Sequence, residues 1–357
     1  MKFGVLLNNT YNIGDDLQSI ASMHFLPTVD YYPFKEQLSS FKTENGDKAK
    51  TILNSWYMWR PENFPPSEDI DPLCISMHFA EDCRKKILTD ATKAWLIKNG
   101  PVGCRDMDTR DWLISNGIDA YFSGCLTLTL NENPKLRENS SWGGYVLCVN
   151  VSDEVVETVK KRTKRPVYVI GKNLLSSFYA KDRLDISKMY LYLYHQAAVV
   201  VTGNMHASMP SLAVNTPVCL LTDENKGPDV GKRFSGLIGF LNHYTTGEFL
   251  ENDVYDFDNP PKNPMKHLEC RQKLIERCKE FTGYYNEGPT LPDDFNPAME
   301  LMRLLQFCSW EYDKEYKGMI AMPPKRRILK ATVLRYLGKD KHDLIQYYLH
   351  KSKRGVL

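Results

Sequence analysis

The run Val199-Val200-Val201, interrupted by Thr202-Gly203-Asn204 and answered by Val218–Leu221, limits the fold of this chain more than any other feature. Three consecutive β-branched residues suit a strand covered on both faces, as in a parallel sheet. Ser208 followed by Pro210 fits a helix N-cap with proline in the first turn, and Thr216-Pro217 opens the second strand. Residues 199–221 therefore read as strand, turn, helix, strand. His206 falls at the carboxyl end of the first strand, beside a helix N-terminus. Open α/β sheets bind ligands there, and free N–H groups favour anions. The same position also suits a histidine that only caps a turn, and local geometry does not choose between the two.

Strand and helix signals alternate along most of the chain. Apolar, β-prone runs at Phe3–Leu7, Thr51–Tyr57, Leu73–Phe79, Val102–Cys104 and Ala120–Phe122 are separated by helical patterns, among them Cys83–Lys98 and Thr109–Asn116. After the polar stretch NENPKLRENSSWGG the pattern restarts with strands at Tyr145–Val151 and Val167–Ile170 and helices near Glu154–Thr163 and Ile186–Ala198. Two βαβ-rich blocks predict an α/β protein with two Rossmann-like domains facing a cleft, spanning 1–135 and 143–260. A helical segment, 261–324, is expected to pack back on the body, with helices at 265–285 and 296–312. A basic amphipathic tail occupies 325–357.

A chain of 357 residues exceeds one ordinary core. Its nine cysteines form no Cys-x-x-Cys pair, and Cys125, Cys148 and Cys219 lie in apolar runs, the pattern of buried thiols in reduced cytosol. No apolar run approaches the roughly 20 residues that span a bilayer, and MKFGVLLNN reads as a first strand rather than a signal peptide. The net charge of +2 implies no nucleic-acid partner, but it is unevenly placed: residues 325–357 hold ten Lys or Arg against two Asp. Leu329, Val333, Tyr336 and Leu337 share one helical face of that tail. It suits peripheral contact with an anionic membrane or packing on the body equally well.

The 199–221 segment is similar to the C-terminal signature of the polysaccharide pyruvyltransferase family, with its histidine, small residues and Thr-Pro-Val strand. GCRDMDTRDWLISNGIDAYFSGCLTLTL, residues 103–130, resembles the family's Arg-Asp, Gly-Ile and Cys-Leu-Thr-Leu block. GKRFSGLIGFL, residues 231–241, resembles its Arg-Phe, Gly-Leu element, and NIGDDLQSIA, residues 12–21, its opening loop. One departure stands out: Asn204 occupies the place of the arginine usual two residues before the histidine. The resemblance implies a glycosyltransferase-B-like shape, phosphoenolpyruvate as co-substrate with no cofactor or metal, and a sugar acceptor, here expected to be polyprenyl-diphosphate-linked.

That chemistry makes a cyclic ketal across two sugar hydroxyls. The enol carbon is protonated, hydroxyls attack the neighbouring carbon, and phosphate leaves. The site needs cations for a carboxylate and a phosphate, a proton donor, and a base. His206 is the candidate acid. Arg105 and Arg233 are candidate anion clamps, because Arg grips carboxylate and phosphate bidentately. Asn204 belongs to the same donor group but brings no charge, so either Lys172, Lys232 or Arg233 replaces the missing arginine or donor binding is weakened. On the acceptor side stand Asn12, Asp15, Asp16 and Gln18, with Asp15 or His78 as base. Capping of a helix start explains at least one of the two aspartates equally well. Trp56, with Tyr57 and Trp59 nearby, offers an aromatic platform for a sugar or simply apolar packing. A nucleotide-sugar glycosyltransferase and a non-catalytic glycan-binding protein are the competing readings. Titration with phosphoenolpyruvate or a sugar nucleotide separates them.

Overall fold

Every strand pairing among the described residues is parallel. The N-terminal strands are β1 (Lys2–Gly4), β2 (Ala49–Ile52), β3 (Trp56–Tyr57), β4 (Ile70–Leu73), β5 (His78–Phe79), β6 (Val102–Cys104) and β7 (Ala120–Phe122). They pair as β1-β2-β4, β3-β5 and β6-β7. Backbone bonds extend these pairings, Leu53 N–H to Leu73 O at 2.9 Å and His78 N–H to Ser55 O at 3.0 Å, and Arg105 N–H to Met77 O at 2.8 Å joins the β3-β5 and β6-β7 pairs. The runs expected as single strands at 51–57 and 73–79 are thus each split in two. Ser76 takes a φ of 54°, which no strand residue adopts, and the Asn54 side chain donates to the carbonyl of Gln18 at 2.8 Å.

A second sheet comprises β8 (Val146–Val149), β9 (Val167–Ile170), β10 (Val199–Thr202), β11 (Val218–Thr222) and β12 (Asn242–Thr245) in the order β12-β11-β10-β8-β9. Counted from its own first strand this is 2-1-3-4-5, a doubly wound order whose reversal lies between β8 and β10. The polar pattern of Asn242–Thr245 concealed β12, an edge strand that need not alternate strongly. The computed structural model describes residues 1–8, 10, 12–138, 144–171, 180–223 and 228–298. Residues Met1–Phe295 form one compact unit. The expected helix at 296–312, except its first three residues, and the basic tail at 325–357 lie outside the described residues.

The helices are α1 (Ile13–Met23), α2 (Arg84–Ile87), α3 (Asp90–Lys98), α4 (Met107–Ser115), α5 (Pro134–Glu138), α6 (Asp153–Lys161), α7 (Ala180–Gln196), α8 (Met205–Ala213), α9 (Pro228–Arg233), α10 (Thr246–Glu251) and α11 (His267–Thr282). The helix expected over 83–98 breaks because Thr89 caps a new start, its hydroxyl accepting from Thr92 N–H at 3.2 Å. One apolar core joins Leu17 and Ile20 of α1, Leu126 and Leu128, Leu191 of α7, Met209 of α8 and Leu274 of α11. Burying these faces together holds the start of α1 against the start of α8. The chain after β12 returns to the N-terminal strands: Cys270 donates to Ser123 O at 3.1 Å, and Tyr285 stacks on Phe25 with centroids 5.0 Å apart.

Candidate active site

Helix α8 starts earlier than the sequence suggested. Asn204, not Ser208, is its N-cap, the side-chain oxygen accepting from His206 N–H at 2.9 Å. Ser208 is interior, and Pro210 sits in the second turn, unable to donate to the carbonyl of His206 four residues back. Asn is as good a cap as Ser, and position 204 lies next to the strand end, so the helix begins there. His206 consequently follows β10 directly, on the carboxyl side of the sheet reversal.

Helix α1 grips the His206 ring. The Asn12 amide nitrogen lies 2.8 Å from Nδ1 while its oxygen caps Gly14 N–H at 3.1 Å. The Gln18 amide lies 3.2 Å from Nε2, and its Oε1 is buried without a partner as placed. Turning that amide puts Oε1 on an Nε2–H, and the amide nitrogen then takes the position without a partner. The resting imidazole is then neutral, accepting at Nδ1 and donating at Nε2. The two helices close on each other only because residue 14 is glycine.

Arg105 follows β6 and is 1% exposed, yet its Nε and Nη1 have no hydrogen-bond partner. Its Nε stands 3.8 Å from Asp106 Oδ2. Burial lowers the guanidinium's proton affinity and Arg233 lowers it further, while Asp106, Cys125 and Asp15 oppose this. An Arg in water at pH 7 is always charged, so this is a buried cation with two idle donors. Such a group is costly unless an anion completes it. Arg233, exposed at the end of α9, acts electrostatically on both Arg105 and His78.

Asp15 and His78 flank that cation. Burial works to raise the Asp15 carboxyl, but Lys35, His206 when protonated, the Thr10 hydroxyl at 2.6 Å and Arg105 together hold it below the ordinary range. His78 Nδ1 lies 2.6 Å from Asp106 Oδ2, and Asp106 Oδ1 caps α4 at Thr109 N–H, 2.9 Å away. Burial, then Arg105, push His78 down to about 4 despite Asp106, so the ring is neutral with its Nδ1–H donated to the carboxylate.

The remaining expected residues fall less centrally. Asp16 gives its carboxylate to Arg183 of α7, at 3.3 Å and 2.7 Å, and so joins α1 to α7 rather than presenting itself to a sugar. Trp56 pairs with His78 across β3-β5 and is half-buried against Trp59, with ring centroids 4.8 Å apart. Tyr57 is a core residue stacked on Phe79. Lys232 is within 2.9 Å of both Glu81 oxygens. Lys172 lies outside the described residues.

Three participants were not singled out from sequence. Lys35 is fully buried, its Nζ 3.8 Å from Asp15, 3.4 Å from Glu36 and 5.0 Å above the Trp56 ring. Nothing local distinguishes it from a solvated lysine. Arg183 was equally anonymous. Asp106 is the N-cap of α4, and its place at a helix start is the one signal of it in the sequence. Among the described residues no group of three His, Cys, Asp or Glu is placed to hold a metal ion.

The model of the family described as polysaccharide pyruvyl transferase matches residues 91–225. No curated protein matches the chain significantly. Among solved structures, a functionally uncharacterized protein from Klebsiella pneumoniae is 12% identical, with 68% of this chain and 92% of that chain covered and a TM-score of 0.42. The matched segment holds both Arg105 and His206, and it supports the resemblance to the polysaccharide pyruvyl transferase family.

Proposed function

We propose that this protein transfers the enolpyruvyl group of phosphoenolpyruvate, as a ketal, onto two hydroxyls of a sugar in a polysaccharide precursor. The family-model match over residues 91–225 supports pyruvate transfer onto polysaccharide in general. The observation that carries the choice of donor is Arg105, a buried guanidinium with two idle N–H donors beside Arg233. A small ligand with carboxylate and phosphate matches that pair in charge and in fork geometry. His206 supplies the proton to the enol carbon once the ligand displaces Gln18 from Nε2. Asp15, held ionised beside it, stabilises the imidazolium that precedes transfer.

In this reading the two strand-rich halves face one another as in glycosyltransferase-B enzymes, with Asn12, Asp15 and Gln18 on the acceptor side. The acceptor is lipid-linked, and the basic tail draws the enzyme to an anionic membrane surface. Among the described residues no helix is long and apolar enough to cross a membrane. The test is thermal unfolding with phosphoenolpyruvate, with a sugar nucleotide, and with neither. A ligand that binds only the folded chain at 100 times its Kd stabilises by about 2.7 kcal/mol. Stabilisation by phosphoenolpyruvate alone supports the reading. Stabilisation by the sugar nucleotide alone assigns a glycosyltransferase. Response to neither leaves a glycan-binding relative, the reading that the loss of arginine at Asn204 would favour.

A further inference from the structure

We infer that Asp106 and His78 form the base for the acceptor hydroxyl, and that this base becomes competent only when the anionic donor is bound. The inference rests on phosphoenolpyruvate being the donor. It starts from the backbone: Arg105 N–H donates to Met77 O at 2.8 Å, so the loop after β6 runs directly beside the start of β5. His78 and Arg105 therefore sit at adjacent strand ends. Asp106 Oδ2 takes Nδ1–H at 2.6 Å, and the Thr109 hydroxyl is 3.2 Å from the same nitrogen. That leaves Nε2 as the basic atom, for which the described residues provide no hydrogen-bond partner. A carboxylate that fixes the tautomer and supports the imidazolium is the arrangement that makes histidine a base.

The gating follows from charge. The groups facing His78 are Asp106 at the start of α4, Arg105 after β6 and Arg233 at the end of α9. With the pocket empty, burial and two guanidiniums keep the ring a poor base, pushed down to about 4. A carboxylate and a phosphate on those guanidiniums cancel their field and leave Asp106 as the dominant neighbour. The ring then titrates nearer neutrality, where a base works best. As the acceptor oxygen bonds to C2 of the donor, its proton passes to Nε2. C3 gains a proton, and the C2–O bond to phosphate breaks with its electron pair leaving on phosphate. The second hydroxyl closes the ketal. Of the two hydroxyl protons, one replaces that given to C3 and the other leaves on the phosphate.

The test is nitrogen NMR of the full chain labelled at histidine, with the His78 signals identified by their loss in His78→Gln. Without donor, His78 should show Nδ1 protonated and no titration between pH 5 and 8. Saturating phosphoenolpyruvate should raise its midpoint by at least about one pH unit. Asp106→Asn keeps the helix cap, because Asn caps as well as Asp, but offers an N–H to Nδ1. It should move the proton to Nε2 while leaving the melting temperature shift by phosphoenolpyruvate in place. If phosphoenolpyruvate does not shift the wild-type melting temperature, the donor reading itself fails and the inference with it. If it does, but His78 ignores the donor or keeps its tautomer in Asp106→Asn, the inference alone is overturned.

Discussion

The His206 ring fills the space that a side chain on Gly14 would need. A Cβ built there lies 2.0 Å from His206 Cγ and 2.1 Å from Nδ1. The glycine at the start of α1 is therefore part of the same contact as the histidine at the start of α8. Ala is otherwise preferred over Gly in a helix by about 1 kcal/mol. Gly14→Ala should nonetheless destabilise, by about 1–3 kcal/mol, through overpacking. Adding His206→Ala should recover that stability without recovering turnover. Urea midpoints of the single and double variants decide this, and simple additivity would show that the two residues do not compete for space.

Arg105 should matter to ligand binding far more than to folding. Arg105 is buried with Nε and Nη1 making no hydrogen bond, so removing its charge relieves a desolvation cost that the fold does not offset with hydrogen bonds. Arg105→Met is therefore expected to keep a near wild-type melting temperature. The Michaelis constant for phosphoenolpyruvate should rise at least about tenfold, with the turnover number changed less. A large drop in stability with unaltered donor binding would assign Arg105 to the fold.

Asn204 caps α8, and the cap can be separated from the charge missing at that position. Asn204→Ala should cost about 0.5–2 kcal/mol of stability through loss of the bond to His206 N–H. Asn204→Arg should lose the same cap but tighten phosphoenolpyruvate binding, because it adds a cation two residues before His206. Equal donor affinity in both variants would mean that position 204 does not reach the donor.

Stability should fall on acidification, and the sign can be traced to named groups. His78 titrates near 4 when folded against 6.5 in its ordinary state, its burial and Arg105 being the cause. Between those values the unfolded chain binds a proton that the folded chain does not, so stability is lost as pH drops through the window. His195, pushed to about 4 by burial and Arg137, acts in the same sense. Asp16 opposes them: burial raises it to about 7 against the pull of Arg183, so its contribution declines as pH rises from about 4 to 7. The histidines outnumber it, which leaves a net gain toward neutral pH. Each net proton is worth about 1.4 kcal/mol per pH unit. Urea midpoints from pH 5 to 7 should rise in the wild type, rise more steeply in Asp16→Asn and less steeply in His78→Gln. A wild-type midpoint that falls over this range would refute the assignment.

The alternation of β-branched runs with helical patterns is a local property, so the sequence alone determined the α/β class, most strands and the position of His206 after β10. The Arg-Asp and His motifs were legible for the same reason, since each depends on a short stretch of chain. The tertiary structure decided what residues far apart in the chain do to one another. Gly14 and His206 are separated by 192 positions in the sequence, and only the shared core of α1 and α8 brings them into contact. Lys35 looked like a surface lysine until folding buried it beside Asp15. Asp16 looked like a sugar ligand until α7 brought Arg183 to it. Arg105 was a candidate anion clamp from its motif, but only the fold removed its water and left two donors idle. Periodicity records which face of an element is apolar, but pairing of charges across elements depends on distances that no local pattern encodes.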